Sequence, residues 1–224
     1  MKGRMVVFGG VLLALSMPAM SSASNWELYD DFNSETIDQE KWVNTNTIST
    51  ISIENGQLKI IHPEGTSTQS AYLKFIHNPE TIIGMKASIK VSSCSGDVRA
   101  RMAAYAGAID DNHYWTAIQI RPSVNRITTS STLQGPPPNY ETIADTHSAE
   151  FPNPINLIGN TYTASIMFSD DKISYAVEGL GAINFKYPIP VDSSTENWRV
   201  LGTRATNGDG PCTVYFDNVY VLRK

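Results

Sequence analysis

The sequence predicts an all-β fold, a sandwich of two antiparallel sheets, and three features carry that expectation. The two ends match. Leu28-Tyr29-Asp30-Asp31-Phe32, running on to Trp42, and Tyr215-Phe216-Asp217-Asn218-Val219-Tyr220-Val221 are short, alternating and aromatic-rich, so each reads as a strand that can lie beside the other. Between them apolar residues recur with period two, and no window carries a convincing helical period. The intervening positions are polar and often charged, which suits a water-facing sheet and not the lipid-facing band of a membrane barrel.

Taken in order, the chain opens on a positive segment with Lys2 and Arg4, an apolar run from Met5 to Leu15, and the small residues Ser21-Ser22-Ala23. This is the pattern of an export leader spanning residues 1–23, and Pro18 and the serines interrupt it short of the roughly 20 apolar residues a membrane span needs. No cysteine lies near the cleavage point to carry a lipid. The expectation is a protein exported to the periplasm or beyond, with residues 24–224 forming one β domain and no membrane span. Without Lys2 and Arg4, 15 basic residues face 22 acidic ones, a net charge of -7. A nucleic-acid partner wants a basic stripe and is not expected. A polyanionic polysaccharide is disfavoured by bulk charge, although a local arginine cluster would suit one. Nothing in the sequence specifies an oligomeric state.

Ile51–Ile53 and Leu58–Ile60 flank Glu54-Asn55-Gly56-Gln57, the signature of a tight hairpin. Met85, Ala87, Ile89 and Val91 alternate with Lys86, Ser88, Lys90 and Ser92, a strand with one buried and one wet face. Tyr162, Ala164, Ile166 and Phe168, the turn Ser169-Asp170-Asp171, and Ile173, Tyr175 and Val177 form the clearest hairpin. The last strands run from Trp198 to Ala205 and from Cys212 to Leu222. From Leu133 to Asn160 the prolines of Gly135-Pro136-Pro137-Pro138 and Phe151-Pro152-Asn153-Pro154 interrupt any ladder. That stretch reads as a long excursion with one short strand at Glu141–Ala144. The only two cysteines, Cys94 and Cys212, most simply pair in an oxidising compartment; two separate thiols are the alternative, and no zinc spacing is present.

Candidate chemistry follows from alternation. With Val98, Ala100 and Met102 facing the core, Arg99, Arg101 and Tyr105 point the other way; with Tyr114, Thr116, Ile118 and Ile120 inward, Trp115, Gln119 and Arg121 share the opposite side. An indole or phenol can lie against the apolar face of a pyranose, and guanidinium and amide groups offer donor forks to hydroxyls or carboxylates. The plainer reading makes the aromatics packing residues and the arginines a solvated sheet face. Glu178 is the one candidate for a catalytic acid, against the ordinary role of a surface ion-pair partner. His62, His77, His113 and His147 are scattered without metal-binding spacing, and no nucleophile elbow supports serine catalysis.

Asp30-Asp31-Phe32-Asn33 followed by Ile37-Asp38 and Lys41-Trp42, then Asn55-Gly56-Gln57-Leu58, and the closing Phe216-Asp217-Asn218-Val219-Tyr220-Val221 resemble the exported concanavalin A-like lectin/glucanase superfamily over nearly the whole chain after the leader. The resemblance implies a jelly roll whose concave sheet holds glycans. Its glucanases carry Glu-x-Asp-x-Glu on one strand, where period two sets all three carboxylates in the cleft. That pattern is missing here. Alginate-lyase relatives carry Gln-Ile-His, and this chain has Gln119-Ile120-Arg121. The resemblance also implies a structural calcium ion, for which Asp30, Asp31 and Asp217 are candidates; turn capping by the same carboxylates is the competing reading. No other cofactor is expected. The leading expectation is an exported, lectin-like protein that binds carbohydrate without catalysis. Its alternatives are a hydrolase or lyase built around Glu178, Arg99, Arg101 and Tyr105, and a structural or adhesive envelope module.

Overall fold

The computed structural model describes residues 25–46, 48–65, 69–78, 81–107, 111–136, 139, 141–152, 156–169, 171–187, 198–205 and 209–224. The leader expected at 1–23 lies outside the described residues.

Tight turns build the local pieces. Asn55 and Gly56, at φ 53° and 71°, occupy the left-handed conformations that a two-residue hairpin turn requires. They join β3 (Thr50–Glu54) to β4 (Gln57–His62). β11 (Thr161–Phe168) folds back on β12 (Lys172–Val177), which in turn pairs with β13 (Gly181–Lys186). The terminal strands meet as expected: β1 (Glu27–Asp30) pairs antiparallel with β15 (Cys212–Arg223), Leu28 opposite Tyr220. β15 also runs against β6 (Ile82–Cys94) and, through residues 212–216, against β4. These eight strands form one sheet, in the order β13-β12-β11-β6-β15-β4-β3 with β1 beside β15.

The second sheet has seven strands. It contains β2 (Trp42–Asn44), β5 (Gln69–Phe75), β7 (Arg99–Gly107), β8 (His113–Arg121), β9 (Arg126–Gln134), β10 (Thr142–Glu150) and β14 (Trp198–Ala205). Their order is β10-β9-β8-β7-β14-β5-β2, and every pairing is antiparallel. The short strand expected at Glu141–Ala144 therefore runs on to Glu150, because Ala144 to Glu150 find partners on β9 despite two register shifts. A single 3-10 turn at Pro122–Val124 joins β8 to β9.

The inward faces make one continuous core. Leu58, Ile60, Met85, Ile89, Val214, Phe216, Ile166 and Tyr175 come from the eight-stranded sheet, and Leu73, Ala100, Met102, Tyr114, Ile118 and Leu201 from the other. The result is the concanavalin A-like jelly roll. Cys94 and Cys212 stand directly opposite on β6 and β15 and are joined by a disulfide with a sequence separation of 118. Among the described residues no helix is long and apolar enough to cross a membrane.

Candidate functional site

The outer face of the seven-stranded sheet is organised in transverse rows, because antiparallel register puts cross-strand partners on the same side. In one row Thr128, Gln119, Arg101, Gly202 and Tyr72 follow one another across β9, β8, β7, β14 and β5. The next row holds Ser130, Ala117, Ala103, Val200 and Lys74, and the one beyond it Thr132, Trp115, Tyr105 and Trp198. On the other flank Arg126 pairs with Arg121 and Arg99 with Arg204. Arg99, Arg101, Tyr105, Trp115, Gln119 and Arg121 are thus brought to one face, as their alternation predicts. The structure adds Tyr72, Lys74, Trp198, Gly202, Arg204 and Asp97.

Small residues make the floor. Ala103, Ala117 and Val200 form a separate apolar patch with Tyr72 and Trp115 packed against it. Their short side chains let the longer ones of neighbouring rows fold over them. Gly202, between Arg101 and Tyr72, has no side chain at all, so the Tyr72 ring lies close above it. Arg101 reaches across and donates from Nη1 to Tyr72 Oη at 2.8 Å. Its guanidinium stacks 4.3 Å from the centre of the Trp115 ring. Lys74 Nζ lies 3.0 Å from the centre of the Trp198 ring, and Trp198 meets Tyr105 edge-on at 5.3 Å. The two indoles are therefore capped by cations, Trp198 by Lys74 and Trp115 by Arg101.

Arg101 is only 1% exposed, and no carboxylate among the described residues pairs with it. Burial, opposed by nearby Tyr72 and reinforced by Arg204 and Arg99, draws its pKa down to about 10, so it remains a cation at neutral pH. Arg99 and Arg121 differ: Asp97 bridges them, at 2.7 Å from Arg99 Nη2 and 3.1 Å from Arg121 Nη2. Burial alone would raise the Asp97 pKa, but the hydrogen bond and charge of Arg99, with Arg121 behind, hold it down at about 2. Gln119 is anchored, donating to Ser130 Oγ at 3.0 Å and accepting from Arg99 Nη1 at 3.4 Å. At the far end of the face Tyr105 and His113 have ring centres 5.5 Å apart.

Glu178 is not brought to this face. It is exposed in the turn between β12 and β13, at the edge of the other sheet. The calcium candidates do not form one cage. Asp30 accepts from Phe32 N and Trp42 Nε1 at 2.8 and 2.7 Å, Asp31 from Asn33 N and Nδ2, and Asp217 from Asn218 N and Gln57 Nε2. Among the described residues no group of three or more His, Cys, Asp or Glu is placed to hold a metal ion. Each carboxylate thus accepts a backbone N–H one or two residues on, as a turn cap does, and a second bond from a side chain. Asp30, Asp31 and Asp38 do line a depression of about 630 Å³ beside β1.

Sequence reasoning missed the β5 and β14 members. Trp198, Val200, Gly202 and Arg204 alternate legibly along β14, but their neighbour β7 lies almost 100 residues earlier in the chain. Nothing local announces that pairing.

The sandwich and the register of its open sheet define a concanavalin A-like protein by fold. No protein-family profile and no curated protein sequence matches the chain. Solved structures do. Porphyranase B from Zobellia galactanivorans is 14% identical, with a TM-score of 0.64 over 88% of this chain and 92% of that one. The κ-carrageenase from Pseudoalteromonas carrageenovora, solved with a κ-carrageenan oligosaccharide, is 13% identical, with a TM-score of 0.64 over 94% and 99%. The GlcNAcα1-4Gal-releasing endo-β-galactosidase from Clostridium perfringens is 12% identical, with a TM-score of 0.62 over 89% of this chain, which spans 63% of that enzyme. At these identities the likeness is one of fold.

Proposed function

We propose that this protein is an exported carbohydrate-binding protein that holds a saccharide chain on the outer face of the seven-stranded sheet. The observation that carries the reading is the convergence of Arg101, Gln119, Tyr72, Tyr105, Trp115 and Trp198 on one face whose strands carry almost no acids. Apart from β10, at the edge, none of the seven strands contains Asp or Glu. Paired-carboxylate glycoside hydrolysis needs two such groups flanking the scissile bond. Amide and guanidinium donors beside aromatic edges serve positioning of hydroxyls instead. The shared fold with saccharide-cleaving enzymes supports a carbohydrate ligand, and the disulfide supports an oxidising compartment outside the cytoplasm.

One observation favours a second reading. Tyr105 and His113 lie on the same face as Arg101, and a phenol and an imidazole at that spacing could move a proton beside a neutralised carboxylate, as a lyase requires. The test is a panel of oligosaccharides titrated against residues 24–224 by calorimetry, with Trp115→Ala and Gln119→Ala in parallel and products followed by mass spectrometry. Binding without product, lost in both folded variants, is the expected result. Time-dependent cleavage with new unsaturated ends would replace the binding reading by the lyase one, and binding unchanged in both variants would move the site off this face.

A further inference from the structure

The chain is acidic overall, yet one end of this sheet face gathers five arginines. Arg126, Arg121, Arg99 and Arg204 lie across β9, β8, β7 and β14, and Arg101 stands one row further in. Three of them have carboxylate partners within the fold: Asp97 is shared by Arg99 and Arg121, and Glu150 takes Arg126 at 2.6 Å. The remaining two are neighbours. Arg101 pairs with Gly202 and Arg99 with Arg204 in the same ladder, so Arg204 sits one row from Arg101 on the adjacent strand. No carboxylate among the described residues pairs with either.

Arg101 is the unusual one. It is held rigidly by the Tyr72 hydroxyl and the Trp115 ring, and its Nε is buried with no hydrogen-bond acceptor. Taking a cation out of water without a counter-charge is unfavourable, and a sheet face built only for packing would place an apolar side chain there. A fixed, buried positive charge favours a carboxylate or a sulfate ester on the face above it, whereas neutral hydroxyls do not need the charge. The nearby Arg204 adds attraction for the same ligand and repels Arg101 in its absence.

We infer that this face selects an anionic saccharide, with the sulfate ester or uronate carboxylate of one residue seated on the exposed Arg204, above the field of the buried Arg101, while neighbouring sugars lie toward Tyr105 and Trp198. The inference rests on the carbohydrate-binding reading and goes beyond it by naming the charge of the ligand. Acidic net charge does not oppose this, because a charged group in contact with Arg204 and close to Arg101 feels them more than residues beyond a Debye length of roughly 10 Å.

Calorimetry on the mature protein with four probes tests it: a sulfated galactan oligosaccharide, its desulfated counterpart, an oligouronate, and its carboxyl-reduced counterpart. One anionic probe should bind about tenfold or more tightly than its neutral partner, and that preference should shrink as salt is raised. Which of the two anionic probes binds distinguishes sulfate from carboxylate. Arg101→Met should erase the preference, and Arg204→Gln, an exposed substitution that leaves the fold intact, should reduce it several-fold. Equal affinity for charged and neutral partners would overturn the inference while leaving carbohydrate binding in place. Failure of all four probes would overturn both.

Discussion

Gly202→Ala is the sharpest test of how the floor of the candidate site is built. A Cβ placed on Gly202 would stand 1.8 Å from the Ala71 carbonyl oxygen and 2.7 Å from Tyr72 Cδ1. An ordinary carbon–oxygen contact needs roughly 3.3 Å, so β14 and β5 would have to part by about 1.5 Å. The obstacle is a backbone oxygen and not a mobile side-chain tip, so rotamer adjustment does not relieve it. Overpacking of this kind costs roughly 1–3 kcal/mol, and losing two ladder hydrogen bonds adds roughly 1 kcal/mol each. Against that, alanine restricts the unfolded chain and returns roughly 0.4–1 kcal/mol. The expected net loss is about 2–4 kcal/mol, read as a lower urea midpoint at unchanged m-value, and as a fall in Tm of roughly 4–16 °C. A change below about 0.5 kcal/mol would refute the close β14–β5 approach at this position, and with it the path by which Arg101 reaches Tyr72.

Three further outcomes are expected. Cys94→Ser, with its partner reduced and capped, should lower stability by about 4–5 kcal/mol in denaturant titration, because the bridge closes a loop of more than 100 residues. Trp42→Phe removes the donor to Asp30 Oδ2 inside a carboxylate that is 7% exposed, and should cost roughly 1–3 kcal/mol by the same measurement. The folded pKa values of His62 and His147 are both depressed by burial. Their contribution is therefore full above the unfolded value near 6.5 and is lost as pH falls through the folded values, so the urea midpoint should drop between pH 7 and pH 5, with a shallower slope in His62→Gln. An unchanged slope in that variant would assign the acid sensitivity to other groups.

Much of the sandwich was legible because its signals are local. Asn55-Gly56 dictated a hairpin, the Ser169–Asp171 turn another, and the matching ends predicted the β1–β15 pair. Alternation also placed six of the candidate residues on one face of β7 and β8, since period two needs no knowledge of the partner strand. β14 shows where this stops. Its Arg199 is turned into the core and its Val200 outward, the reverse of what polarity suggests. Arg199 is tolerated there because it donates to the carbonyl oxygens of Tyr105, Trp198 and Ile82 and lies 4.6 Å from the Phe168 ring centre, although burial pulls its pKa down to about 10. Those acceptors are brought together by tertiary structure alone. Asp97 was missed for the same reason: its role depends on Arg99 and Arg121 arriving from two strands.

The charge on the open face bears directly on what chemistry it can support. A hydrolase of this fold works with groups that exchange protons near neutral pH. Arg101, even with its pKa lowered to about 10, keeps its proton at pH 7, and Asp97, held at about 2 between two arginines, keeps its charge. Neither can act as acid or base at neutral pH, so under the proposed binding role Arg101 orients a ligand without transferring protons. Tyr105 and His113, the phenol–imidazole pair described on this face, lie two rows or more beyond Arg101. That separation lets the two properties be tested apart: Arg101→Met should erase the preference for an anionic saccharide, and Tyr105→Phe or His113→Gln should abolish any cleavage.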